Sequence, residues 1–349
     1  MTSEKILITG LFVSEKNKQR VNRSAADQLA ELLSRNGFHI IKVSYAVNRA
    51  VRLLDTLFTI FTKTSKYKIA VVPLYGTLFT FWWAAISCVL LKALNKKMVL
   101  IIHGGSIPER MKTNASRFLN IIRKADVVIC PSPFILNSLK SYGVESVLIE
   151  NVINLNDYNF RPKETFRPRI LWMRTLHEIY NPEMAVRVTS LLSKKYPDMK
   201  VVVAGREDGS LKMVTDLAKQ LNVEHLIEFP GYINKEGKNK YASDLDIYIC
   251  TNRIDNAPVS LIEMMALGLP VVSVNVGGIP DLITDKENGL LVDLDDDRAM
   301  ADSISLIIEQ PSIGKNLVAN GLKYSRQFGE EPVLAKWKHV FNQLGHQLN

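Results

Sequence analysis

Short apolar runs of strand length alternate with helical patterns through almost all 349 residues, and no other feature narrows the fold so far. The runs Ile6–Thr9, His39–Val43, Ile69–Val72, Val99–His103, Val127–Cys130 and Val147–Ile149 read as strands. Ala25–Ser34 and Pro133–Ser141 are among the helical patterns between them, and Gly37 ends the first before the next strand begins. Such interleaving makes βαβ units and a parallel sheet. Residues 151–168, NVINLNDYNFRPKETFRP, break the rhythm and read as a linker. A second series follows: Ile170–Met173, Val201–Ala204, His225–Phe229, Leu245–Cys250, Pro270–Val274 and Leu290–Val292. The expectation is an α/β chain of two doubly wound, Rossmann-like domains over residues 1–165 and 166–330. A terminal amphipathic helix over Glu331–Leu348, in segment 331–349, packs back on the body. Sheets of this kind bind ligands beyond the carboxyl ends of their strands, so two facing domains would enclose an interdomain cleft.

Composition removes several function classes. Cys88, Cys130 and Cys250 are scattered and odd in number, which argues for a reducing compartment and against a thiolate metal site. Asp244-Leu245-Asp246 spells D-x-D, but its second Asp runs straight into a strand and reads as structural. There is no G-x-x-x-x-G-K-[ST] loop and no G-x-G-x-x-G fingerprint. The opening MTSEKILITG reads as a first strand rather than a leader, so a cytoplasmic protein is expected. Residues 1–168 hold 24 Lys and Arg against 11 Asp and Glu, while residues 169–349 hold 20 against 24. A basic first half suits an anionic partner, and without a nucleic-acid-binding signature the expectation is no nucleic acid. An anionic membrane surface, touched peripherally from the inner face, or a lipid diphosphate suits the same charge.

Residues 69–91 carry no charged side chain and are long enough to span a bilayer. Pro73, Gly76, Thr77 and Thr80 interrupt them, so a strand, a turn and a helix over Leu78–Leu94 are expected instead. Phe79, Phe81, Trp82 and Trp83 suit a membrane interface or packing against the sheet. Segment Ala46–Phe61 mixes Arg49 and Arg52 with Val51, Leu54, Phe58 and Phe61, which suits an interfacial helix as well as a buried one.

Chemistry concentrates in residues 255–278, DNAPVSLIEMMALGLPVVSVNVGG. Pro258 suits the first turn of a helix running to Leu267, Gly268 suits its end, and Gly277-Gly278 turns the chain. The N–H groups of Val259 and Ser260 at that N-terminus make a cradle for a diphosphate. Glu263 lies about 7.5 Å further along the axis, where a carboxylate can accept from two ribose hydroxyls. Asp255 stands before the helix, nearer the sugar. Taken singly, Asp255 is better explained as a helix cap and Glu263 as an ordinary exposed helical residue.

Together, this segment resembles the signature of glycosyltransferase family 4, retaining enzymes of GT-B fold. That family carries Glu, seven residues, Glu, then A-x-G-x-P-V-V and a G-G turn. Here Glu263, Ala266, Gly268, Pro270, Val271, Val272, Gly277 and Gly278 match, and Asp255 replaces the first Glu. The resemblance implies that Arg174, at the end of Ile170–Met173, holds the donor diphosphate. The usual Lys six residues on is Tyr180, and Arg253 is the candidate replacement cation. Val203-Ala204-Gly205-Arg206 resembles the glycine loop near the nucleotide, and Phe229-Pro230-Gly231-Tyr232-Ile233 the segment facing the base. His103, followed by Gly104-Gly105, occupies the place of a His beside the transferred sugar, and Gly10 lies in a loop resembling one that approaches the acceptor.

What the resemblance implies is transfer of a sugar from a UDP- or GDP-type donor to a saccharide or lipid-linked acceptor in surface polysaccharide or glycoconjugate synthesis. Catalysis would rest on His103, Asp255 and Arg174, with retention of configuration and no metal. Two other readings stay open: a nucleotide-sugar epimerase on the same fold, and a non-catalytic subunit that has kept it.

Overall fold

The structure is a computed structural model and describes residues 5–12 and 24–345. The expected beginning of the chain before Lys5 and the expected helix end at Leu348 lie outside the described residues. The chain forms two compact units, residues 1–153 with 328–349 and residues 154–327.

In the first unit the order is β1 (Lys5–Thr9), α1 (Ala25–Arg35), β2 (Ile40–Val43), α2 (Arg49–Thr62), β3 (Tyr67–Leu74) and α3 (Leu78–Ala93). It continues with β4 (Lys97–Ile102), α4 (Ile107–Ile122), β5 (Val127–Cys130), α5 (Pro133–Lys140) and β6 (Val147–Leu148). The sheet is parallel throughout, in the order β2-β1-β3-β4-β5-β6. Helices cover both of its faces, so strands such as β3 are buried along nearly their whole length and read as unbroken apolar runs. Capping fixes where the helices begin: the Ser24, Asn48 and Thr77 side chains each accept from backbone N–H groups of the first turn. The uncharged stretch 69–91 is thus strand, turn and helix, and α3 buries Trp83, Ala84, Ser87, Cys88 and Leu91.

The second unit holds β7 (Arg169–Met173), α6 (Pro182–Ser193), β8 (Lys200–Ala204), α7 (Leu211–Gln220), β9 (Ile227–Gly231) and α8 (Lys235–Asp244). Then come β10 (Ile247–Cys250), α9 (Val259–Leu267), β11 (Val271–Val274), β12 (Leu290–Val292), α10 (Asp297–Glu309) and α11 (Pro311–Ser325). Its parallel sheet runs β12-β11-β10-β7-β8-β9. The chain builds outward from β7 to β9, then returns to the other side with β10. The switch point, where sheets of this kind bind ligands, therefore lies between β7 and β10.

Two particulars differ from the sequence expectation, and a third settles a point it left open. The division falls at Ile153–Asn154 rather than near 165, because residues 154–168 pack on the second unit. Tyr158 there bonds to Glu263, and Lys163 and Arg167 bond to Asp246. The strand expected at His225–Phe229 begins at Ile227, since Glu224–Leu226 form a 3-10 turn. Finally α12 (Glu330–Gln343) belongs to the first unit, where Val333, Trp337, Val340 and Phe341 join Ile6, Ile8, Leu29 and Leu33 in one core.

Candidate functional site

Arg174 leaves the carboxyl end of β7, and residues 251–257 leave that of β10, on the two sides of the switch point. The Arg174 guanidinium donates through Nη2 to Asp255 Oδ2 at 2.6 Å. Its Cζ lies 4.4 Å from the centre of the Tyr180 ring, a cation–π contact. Burial works against the Arg174 charge, and the neighbouring Asp255 and Tyr180 outweigh it, so its pKa rises above the ordinary value. Arg174 Nε is buried without a partner. A fixed cation with an unused donor is poised for an anion.

Asp255 is held from three further directions. Its Oδ2 accepts from Asn252 Nδ2 at 2.8 Å, and its Oδ1 from the Asn256 N–H at 2.8 Å. Its carbonyl accepts from Gly278 N–H at 3.0 Å. Gly277 has φ +56, and a Cβ there would lie 2.1 Å from the Asp255 carbonyl oxygen, so the turn must be glycine. Asp255 is not the cap of α9; Pro258 occupies that position with φ −66. The Val259 and Ser260 N–H groups precede the first donor that bonds back, Leu261, whose N–H reaches the Pro258 carbonyl at 3.0 Å.

Thr251 ties the two loops together. Its hydroxyl accepts from Trp172 Nε1 at 2.7 Å and lies 2.8 Å from the Tyr180 and Asn181 carbonyls. Gly205, just past β8, presses on the same loop, since a Cβ there would lie 1.7 Å from the Arg174 carbonyl oxygen. Arg253 donates to Asp295 Oδ2 at 2.7 Å and to Asn181 Oδ1 at 3.2 Å, and it is exposed.

Glu263 is buried on α9, and its partners are ones the sequence did not reveal. Lys238 Nζ donates to both carboxylate oxygens, at 2.8 and 2.6 Å, and Tyr158 donates to Oε1 at 2.7 Å. Burial and then the Glu263 charge push the Tyr158 phenol well above its ordinary pKa, so it stays a donor. Lys238 hides in the charge run KEGKNK, which reads as a solvated face, and Tyr158 sits in the apparent linker. Tyr232 is part-exposed after β9, with its pKa raised by burial and then by Glu263, and Ile233 beside it is buried.

In the first unit His103 follows β4. It is 8% exposed, and its ring stacks on Tyr75 with centroids 5.1 Å apart. Burial pulls its pKa down to about 4. It borders a cavity of about 30 Å³ that Gln28, Glu150 and Trp337 also line. Gly104, with φ +107, and Gly105 turn the chain toward α4. Gly10 lies at the end of β1 with its Cα against α1, where a Cβ would meet Ala26 at 2.6 Å. Asp246 of the D-x-D tripeptide is buried. Burial opposes its charge, and Arg167 and Lys163 outweigh that, holding its pKa low; it anchors residues 163–167 to β10.

The switch-point site lies within one family pattern, and His103 lies within a second. Glycosyl transferases group 1 matches residues 158–324, and Glycosyltransferase Family 4 matches residues 39–157. The chain belongs to the family 4 glycosyltransferases. An uncharacterized glycosyltransferase of Haemophilus influenzae is 31% identical over 44% of this chain and 43% of its own length. A Campylobacter jejuni enzyme, named as an α-1,4-N-acetyl-D-galactosaminyltransferase acting on a diNAcBac-PP-undecaprenol-linked saccharide, is 26% identical over 74% of this chain and 72% of its own length. The amylovoran biosynthesis glycosyltransferase AmsK of Erwinia amylovora is 24% identical over 60% of this chain and 55% of its own length. The chain thus spans less than two thirds of the Haemophilus and Erwinia relatives. Among solved structures, sucrose-phosphate synthase from Thermosynechococcus elongatus superposes with TM-score 0.81 at 17% identity, covering 98% of this chain and 99% of that one. Anabaena HepE with UDP and glucose gives 0.73 at 16% identity, covering 99% and 100%. These likenesses establish the GT-B fold for this family 4 chain.

Proposed function

We propose that the chain is a retaining, metal-independent glycosyltransferase that moves a sugar from a nucleoside-diphosphate donor to a saccharide or lipid-linked acceptor. The observation that carries this reading is the part-buried Arg174, clamped between Asp255 and Tyr180 beside a free helix N-terminus at the switch point. In this reading Arg174 and the Val259 and Ser260 N–H groups take the charge that develops on the departing diphosphate. Tyr180 supplies no cation; it fixes Arg174 by stacking on it. The Arg253–Asp295 pair is exposed, and such pairs contribute under about 1 kcal/mol, so Arg253 can exchange Asp295 for a phosphate.

Glu263, paired with Lys238, receives the ribose. Asp255 accepts three side-chain-directed hydrogen bonds and keeps one lone-pair direction for a sugar hydroxyl. His103 is neutral near pH 7 and serves as a hydrogen-bonding group, not a cation. The acceptor oxygen bonds to the anomeric carbon from the face the phosphate leaves, and the departing phosphate oxygen takes the acceptor's proton. HepE structures that hold UDP and UDP-glucose, and the undecaprenol-linked substrate named for the Campylobacter relative, support the donor and acceptor classes. The test is proton NMR of the product formed with EDTA present. Retained anomeric configuration supports the reading; an inverted product, or a changed nucleotide sugar formed without acceptor, contradicts it.

A further inference from the structure

Two paired helices of the first unit carry apolar stripes turned away from its core. On α2 the stripe is Val51, Leu54, Phe58 and Phe61, spaced by three and four residues so that all lie on one side. On α3 it is Leu78, Trp82, Ile86 and Val89, again on one side. These eight side chains are 39% to 68% exposed. The helices are joined through their other sides: Trp83 Nε1 of α3 donates to Thr56 Oγ1 of α2 at 3.1 Å, and Arg49 lies over the Phe79 ring. A soluble surface seldom concentrates so many large apolar groups without a use for them.

The surroundings are cationic. Residues 45–97 contain eight Lys and Arg and a single acid, Asp55. Arg117 of α4 lies 4.6 Å from the Trp82 ring centre and 4.9 Å from that of Phe81, so a cation rests on an exposed indole. Aromatic and aliphatic groups flanked by arginine match the layering of a membrane interface, where acyl chains meet charged headgroups. Among the described residues no helix is long and apolar enough to cross a membrane, so the helices would lie in the interface. A second copy fits the face poorly, because pairing it with itself would bring Arg49, Arg117 and their counterparts together.

We propose that α2 and α3 form a docking face for an anionic lipid bilayer. The face is distinct from the switch-point site, and its test does not depend on the sugar chemistry. The full chain is floated with vesicles of phosphatidylcholine alone and of phosphatidylcholine mixed with phosphatidylglycerol. It should float with the mixed vesicles only, and added salt should release it. Trp82 emission should shift to the blue on binding; Trp83, Trp172 and Trp337 are already buried, so Trp82→Phe should remove the shift. Leu54→Glu with Phe58→Glu should weaken binding by about tenfold or more. Arg49→Glu with Lys63→Glu should weaken it by about fivefold for each cation removed. All four positions are exposed, so the melting temperatures should match the parent's. No binding to mixed vesicles, or binding indifferent to both double variants, overturns the proposal. So does a light-scattering dimer that the apolar variant dissolves while lipid binding is absent, which would make a second copy the occupant.

Discussion

In the proposed function the chemistry of the second unit converges on Arg174, a part-buried charge with one carboxylate, one stacked ring and a spare donor. Arg174→Ala should lower donor turnover by about 10²- to 10³-fold, the usual cost of a lost charge-stabilising donor, as read from kcat/KM. Arg174→Lys should recover only part, since an ammonium cannot pair with Asp255 and stack on Tyr180 in the same planar way. His103 makes a separate prediction in pH. Its folded pKa of about 4 lies below the ordinary 6.5, so the unfolded chain takes up a proton that the folded chain refuses. The associated stability is complete above pH 6.5 and falls as pH drops toward 4, by about 1.4 kcal/mol per pH unit. Urea titrations across that window should show a shallower slope for His103→Gln. Asp255 and Glu263 could be singled out from their spacing in one loop–helix segment, and Arg174, at the end of β7, from the family resemblance. Lys238 and Tyr158 could not, since they reach Glu263 from a surface-like charge run and a linker.

At the scale of elements, the site depends on loops pressed together more closely than a side chain allows. Gly205→Ala would put a methyl into the Arg174 carbonyl, so it should destabilise the unit by about 3 kcal/mol and displace Arg174. The check is a lowered denaturation midpoint together with lost nucleotide affinity. Lys238→Met tests the link between α8 and α9: with Glu263 buried and deprived of its cation, affinity for a nucleoside diphosphate should fall. Measured affinities for ribose and 2′-deoxyribose nucleotides should then converge. The strand–helix alternation made most elements legible, because both sheets are covered on both faces and their strands read as plain apolar runs. Boundaries moved where backbone groups found other partners, as at Glu224–Leu226, whose 3-10 turn delays β9.

For the whole molecule, chain order and unit membership part company. Helix α12 closes the core of the first unit after the chain has completed the second, with Trp337 and Phe341 fully packed against residues of α1. Trp337→Ala should cost about 3–5 kcal/mol in the first unit. Hydrogen exchange should show that loss in residues 5–12 and 24–153 while the second unit keeps its protection. An amphipathic pattern announces such a helix but does not say which sheet it covers. In the proposed function the switch point of the second unit is a nucleotide-sugar site built on Arg174. The most direct test is a thermal-shift titration with UDP-, GDP- and ADP-sugars in EDTA, on the parent chain and on Arg174→Ala. One donor class should raise the melting temperature of the parent in proportion to the logarithm of its concentration, and leave the variant unmoved. A parent that responds to none of them, or a variant that responds equally, would contradict it.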